Sequence, residues 1–130
     1  MFDMNAVAMT CRLTHDPTLR RTPGGHPVTT MRVAIQRRRG SDGEDRGAAF
    51  WDVEAWGSLA EDCCAYLAKG KRIGVEGVLD HREWSKDGSP RHANYVIARR
   101  VQFLDYPDGA GDISASTQQP PADSSPPGSA

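Results

Sequence analysis

The sequence predicts a mainly β domain of five antiparallel strands with one short helix between the third and the fourth. Three observations predict it. Apolar and polar residues alternate with a period of two in several separate runs. One stretch alone, 58–69, spaces its apolar residues as a helix does. Clusters of Gly, Pro, Asp and Ser punctuate the runs where turns are needed.

In the first run, Val7, Met9, Cys11 and Leu13 alternate with Ala6, Ala8, Thr10 and Arg12, a strand with one apolar face. Asp16-Pro17 breaks it, and Thr22-Pro23-Gly24-Gly25 is a second turn signal. Thr29, Met31, Val33 and Ile35 then alternate with Thr30, Arg32, Ala34 and Gln36, a second strand. The polar, Gly-rich segment from Gly40 to Gly47 reads as a flexible loop. The third strand, Phe50 to Trp56, packs three of the nine aromatic residues into a short span. Its period of two puts Phe50, Asp52, Glu54 and Trp56 on one face and Trp51, Val53 and Ala55 on the other, inward one. Two rings beside a polar pair on a solvated face suit stacking against nucleic-acid bases.

Ser58 and Glu61 have the form of a capping box, and Leu59, Cys63, Tyr66 and Leu67 share a helix face that Gly70 would terminate. Arg72 to Trp84 is the fourth strand, where Gly74 and Gly77 mark a bulge or bend. Ser85 to Pro90 is a hairpin loop. Arg91 to Leu104 is the fifth strand, with a kink expected near Arg99-Arg100 where the alternation fails. Three strands, a helix and two strands is the order of an OB-fold, a small Greek-key barrel, though other small α+β folds have the same complement.

At 130 residues the chain fits one domain, read here as residues 1–106, followed by a tail over 107–130. The tail is Gly, Ser, Ala, Pro, Gln and Asp with one large apolar residue, Ile113, a composition that predicts disorder. The net charge of −1 does not by itself announce a nucleic-acid binder. All sixteen bases nevertheless lie in residues 1–106, leaving that part at +2, so a basic groove is compatible with the charge. No apolar run is long enough to span a bilayer and no leader is evident, so a cytoplasmic protein is expected. Cys11, Cys63 and Cys64 lack zinc-site spacing, and His15, His26, His81 and His92 show neither ligand spacing nor triad order. No metal and no cofactor is expected. No nucleophile–base pair or phosphate-cradling glycine loop points to an enzyme.

Asn5-Ala6-Val7, Leu13, Asp16-Pro17, Leu19-Arg20, Pro23 and Gly24-Gly25 resemble the opening of bacterial single-stranded DNA-binding proteins. Phe50 through Gly57, Leu59-Ala60-Glu61, Tyr66 to Gly70, Val75-Glu76-Gly77 and Arg82-Glu83-Trp84 continue the resemblance, which covers about residues 3–105. The resemblance implies an OB-fold, usually a homotetramer and nucleoid-associated, that wraps single-stranded DNA without reading its sequence. It implies stacking by Phe50, Trp56 and Trp84, with Trp51 turned the other way. Phosphate contacts are expected from Arg32, Arg82, Lys69 and the run Arg37, Arg38 and Arg39. At Arg39 this chain has an arginine where the family usually places a further stacking tryptophan, which would shift binding toward ion pairing and steepen its salt dependence.

Two features depart from the family. Asp52 and Glu54 share the face of Phe50 and Trp56, where carboxylates repel phosphate, unless Arg32 and Arg82 pair with them. The last seven residues carry no acid and no aromatic, unlike the acidic tip by which the family commonly recruits replication and repair proteins, so recruitment of such partners by that route is not expected. Sequence-independent binding and protection of single strands in replication, recombination, repair or segregation is the leading reading. The alternative is an OB-fold protein-interaction module of the primosomal accessory type. The resemblance also sets the first strand against its mate in a neighbouring subunit, where Cys11 could form a disulfide, although a reducing cytosol argues against one.

Overall fold

The computed structural model describes residues 2–104 and, for the backbone, 114–116. Strand β1 (Val7–Leu13) keeps its alternation: Cys11 and Leu13 are buried, Val7 and Met9 half-buried, and Ala8, Thr10 and Arg12 exposed. Arg20–Arg21 forms a two-residue strand, β2, that the alternation was too short to reveal. It pairs with the start of β3 (Pro27–Gln36), across a turn in which the Gly25 N–H donates to the Thr22 carbonyl. Strand β4 (Ala48–Trp56) returns antiparallel to β3, with Arg32 opposite Asp52 and Ala34 opposite Phe50.

Helix α1 (Gly57–Tyr66) is shorter than the apolar spacing suggested, and its start differs. Gly57 has a φ of +65°, a left-handed conformation that turns the chain abruptly out of β4. That turn places Ser58 inside the helix, Trp56 is the N-cap, and no side chain caps it, so the expected capping box does not form. Gly70 does adopt a left-handed φ of +92°, but in the turn beyond the helix end, since Leu67 is already extended. Leu59, Ala60, Cys63 and Leu67 face the core as expected. Tyr66 stands exposed and meets Phe103 ring against ring, with centroids 6.1 Å apart.

Strands β5 (Arg72–Lys86) and β6 (Ser89–Phe103) form a long hairpin that extends further than the loop signals indicated. Asp87 and Gly88 alone make the turn, both with positive φ, the backbone that matches the strands' twist. The pairing slips between Glu76 and Gly77: Glu76 faces Arg100 and Gly77 faces Ala98, leaving Arg99 as the extra residue of a bulge. Both the suspected glycine bend and the suspected kink are this one feature. A Cβ on Gly77 would run into the Ile97 carbonyl oxygen, so only glycine fits there.

The sheet closes on itself. β5 pairs with β1 and β6, β4 with β6 and β3, and β3 with β1 through Arg12–Ala34 and Leu13–Val33. The β4–β6 contact is parallel and the others are antiparallel. This ring is the OB-fold expected from the element order. Its interior holds Leu13, Met31, Val33, Val53, Ile73, Val75, Val96 and Val101, with α1 packed against them. Cys11 belongs to the same core, and burial raises its thiol pKa to about 11. A thiol turned into its own barrel is not placed for the intersubunit disulfide that the resemblance allows. The disorder expected over 107–130 falls outside the described residues, except at Ser114–Ser116, strand β7, which pairs with Arg100–Gln102 of β6. No helix among the described residues is long and apolar enough to cross a membrane.

Candidate nucleic-acid interface

The outward residues of β3 and β4 form cross-strand pairs along one face: Ala34 with Phe50, Arg32 with Asp52, Thr30 with Glu54, and Val28 with Trp56. The β5–β6 hairpin joins this face through Arg82, whose guanidinium reaches Glu54 Oε1 at 3.0 Å. Trp84, two residues further on, shares the face. β5 runs antiparallel to β4, because β6 is parallel to β4 and antiparallel to β5. Moving from Arg82 to Trp84 is therefore moving from Glu54 toward Phe50. Phe50 and Trp84 lie toward one end of the face, and Trp56 toward the other.

The two ends differ in depth. Phe50 is 52% exposed, and the Arg32 guanidinium lies 5.7 Å from its ring centroid. Trp84 is half-buried, with its indole N–H turned inward and without an acceptor among the described residues. Trp56, expected on an open face, is only 3% exposed. Its indole N–H donates to Glu54 Oε1 at 2.7 Å. Strand alternation assigned the side correctly but not the cover: the hairpin arm, through Arg82 and Tyr95, packs over Glu54 and closes that end.

Both carboxylates that threatened this face are paired. Asp52 Oδ1 meets Arg32 at 3.2 Å, with both groups well exposed. Glu54 is fully buried, and one of its oxygens accepts from Trp56 and Arg82 while Oε2 has no partner among the described residues. Burial pushes the Glu54 pKa upward, more than the Trp56 hydrogen bond and the Arg82 and Arg20 charges pull it down. Arg82 also donates to the Tyr95 hydroxyl at 2.8 Å and lies 4.3 Å over its ring. Burial, ahead of the opposing effect of Arg82, raises the Tyr95 pKa as well.

Arg82 is thus on the predicted face, but with a side chain 13% exposed and committed to Glu54 and Tyr95. By sequence Tyr95 is an apolar member of the fifth strand; its opposition to Asp80 and nearness to Arg82 come from the hairpin register, which the sequence does not encode locally. Arg37, Arg38 and Arg39 are exposed where β3 runs into the loop. Arg39 donates to the Gly43 carbonyl at 3.0 Å, within the loop itself. Lys69 is exposed in the turn before β5, where its backbone N–H donates to Asp16 Oδ1 at 2.7 Å. No group of three or more potential metal ligands occurs among the described residues.

The arrangement offers one open ring, one half-open ring and exposed guanidinium groups on a rigid barrel. Residues 4–104 match the family model described as "Single-strand binding protein family". A "Single-stranded DNA-binding protein" of Clostridium tetani is 43% identical over 79% of this chain and 72% of its own length. "Single-stranded DNA-binding protein 2" of Streptococcus agalactiae is 42% identical over 78% of this chain and 77% of its own. "Single-stranded DNA-binding protein 3" of Clostridium acetobutylicum is 37% identical over 88% and 81%.

Proposed function

The chain belongs to the single-strand binding protein family, and on that premise we propose that it binds single-stranded DNA without sequence preference, by stacking bases on Phe50 and Trp84 and holding phosphates on nearby cations. The observation that carries the reading is the exposed Phe50 ring beside Arg32, at the same end of the barrel face as Trp84. A ring offers its π-face to any base, so stacking tolerates sequence where hydrogen bonding to base edges would not. Trp56 serves in this reading as buried support, holding Glu54 and through it Arg82. The arginines at the start of the β3–β4 loop, Arg37 to Arg39, and Lys69 supply further phosphate contacts.

The chain in this role is a non-catalytic coat for exposed strands in replication, recombination, repair or segregation. It acts in the cytoplasm on the nucleoid's DNA, as a homo-oligomer of four subunits. Residues 1–106 are the binding domain and 107–130 an appended tail. Native mass spectrometry checks the subunit number.

Titration of tryptophan fluorescence with oligo-dT tests the function. Strong quenching that weakens with added salt is expected, with Trp84→Ala removing most of the quench. Phe50→Ala should weaken binding by about 1–3 kcal/mol, the cost of one lost stack. Absence of binding at low salt would overturn the reading and favour a protein-interaction module instead.

A further inference from the structure

The cations chosen from the sequence on the aromatic face prove to be largely occupied. Arg32 is held by Asp52, and Arg82 by Glu54 and Tyr95. Further exposed arginines lie one strand further round the barrel. The cross-strand register puts Phe50 opposite Ala34, Ala34 opposite Arg12, and Arg12 opposite Arg72. All four are outward residues, because their chain neighbours Trp51, Val33, Cys11 and Ile73 face the core. They form one rank across β4, β3, β1 and β5, spanning three strand spacings or about 14 Å.

Arg12 is exposed, and its guanidinium donates to the Gly70 carbonyl oxygen at 2.6 Å. That bond fixes the side chain without neutralising it. It also draws Arg12 to the turn that carries Lys69 and Lys71, both exposed. No carboxylate among the described residues forms an ion pair with Arg12, Lys69 or Lys71. Asp16, the acid at this turn, accepts the backbone N–H of Lys69. The small side chain of Ala34 leaves the surface between Phe50 and Arg12 low enough for a chain to pass.

We propose that Arg12, with Lys71, forms a phosphate-binding rank on β1 and the α1–β5 turn, and that single-stranded DNA leaving Phe50 crosses Ala34 onto it. This rests on the single-strand binding reading above. In the sequence Arg12 was a member of the polar row of the first strand, and only the β1–β3 closure brings it into line with Phe50.

Fluorescence anisotropy of a labelled oligo-dT with the full chain, over a salt series from about 0.05 to about 0.3 M, tests it. Arg12→Gln should lower affinity about fivefold or more at the low-salt end and make the log–log salt slope shallower by about 0.7, the value of one lost phosphate contact on a single strand. Arg12→Lys should retain most of both. Arg21→Gln removes an exposed arginine that also bonds a carbonyl, that of Gly25, and should leave the slope as it was. Unchanged affinity and slope in Arg12→Gln, alongside wild-type binding, would overturn the rank and leave the parent reading standing. Equal losses in Arg12→Gln and Arg21→Gln, or in Arg12→Gln and Arg12→Lys, would also overturn it, as general charge or structural effects. A wild-type chain that fails to bind oligo-dT removes both.

Discussion

The two carboxylates on β4 look equivalent in sequence and differ in the folded chain. Asp52 is exposed with its arginine, so the pair contributes little to stability, below about 1 kcal/mol. Asp52→Asn should therefore leave the melting temperature nearly unchanged while releasing Arg32, and tighten oligo-dT binding severalfold at low salt; an unchanged titration would show that Arg32 makes no phosphate contact. Glu54 is fully buried, and its loss would strand Arg82, itself largely buried. Glu54→Ala should cost about 3 kcal/mol or more in urea denaturation. The raised Glu54 pKa also has a sign. Between the ordinary carboxylate value and the raised one, the folded chain holds a proton that the unfolded chain has released. The stability contributed by this group is then greatest at the acid side and falls as pH rises through that window. Urea midpoints measured across the window should lose this component in Glu54→Gln, and an identical pH dependence in both proteins would contradict the assignment.

At the level of the element, periodicity was a good guide to side and a poor one to depth. It placed Val53 and Ala55 inward and Phe50, Asp52, Glu54 and Trp56 outward, and both assignments hold. Whether an outward residue is open depends on what crosses over it, here a hairpin arm contributed about thirty residues later in the chain. No local pattern in β4 carries that information. The helix start failed for a related reason: Ser58 and Glu61 have the right spacing, but the left-handed Gly57 already commits the chain to the helix one residue earlier. Gly77 was readable because its physical demand is local to the strand pair. Gly77→Ala would force the Ile97 carbonyl to move or abolish the bulge, and should destabilise the barrel by several kcal/mol, beyond the roughly 1 kcal/mol range of strand propensity. Thermal denaturation monitored by circular dichroism checks this, and a variant as stable as the parent would mean the bulge is not needed to close the ring.

For the whole molecule, the closed ring makes one core out of parts far apart in the chain. Cys11 on β1 and Cys63 on α1 are packed into the same cluster, although more than fifty residues separate them. Burial raises their thiol pKa values to about 11 and about 12, so neither forms an appreciable thiolate near neutral pH while the barrel is intact. Cys64, adjacent to Cys63 but pointing off the core, is half-buried. Because β1 pairs with both β5 and β3, Cys11 has no route to solvent through fraying of a free strand. The ring must open for it to react, and opening the ring exposes Cys63 as well. Labelling with a thiol reagent should accordingly show one fast site, Cys64. Two slow sites should follow at a common rate, and that rate should rise with urea in step with global unfolding. Mass mapping of the labelled peptides separates the three. Cys11 reacting ahead of Cys63 would show that β1 detaches by itself, and that the barrel is not a single cooperative unit.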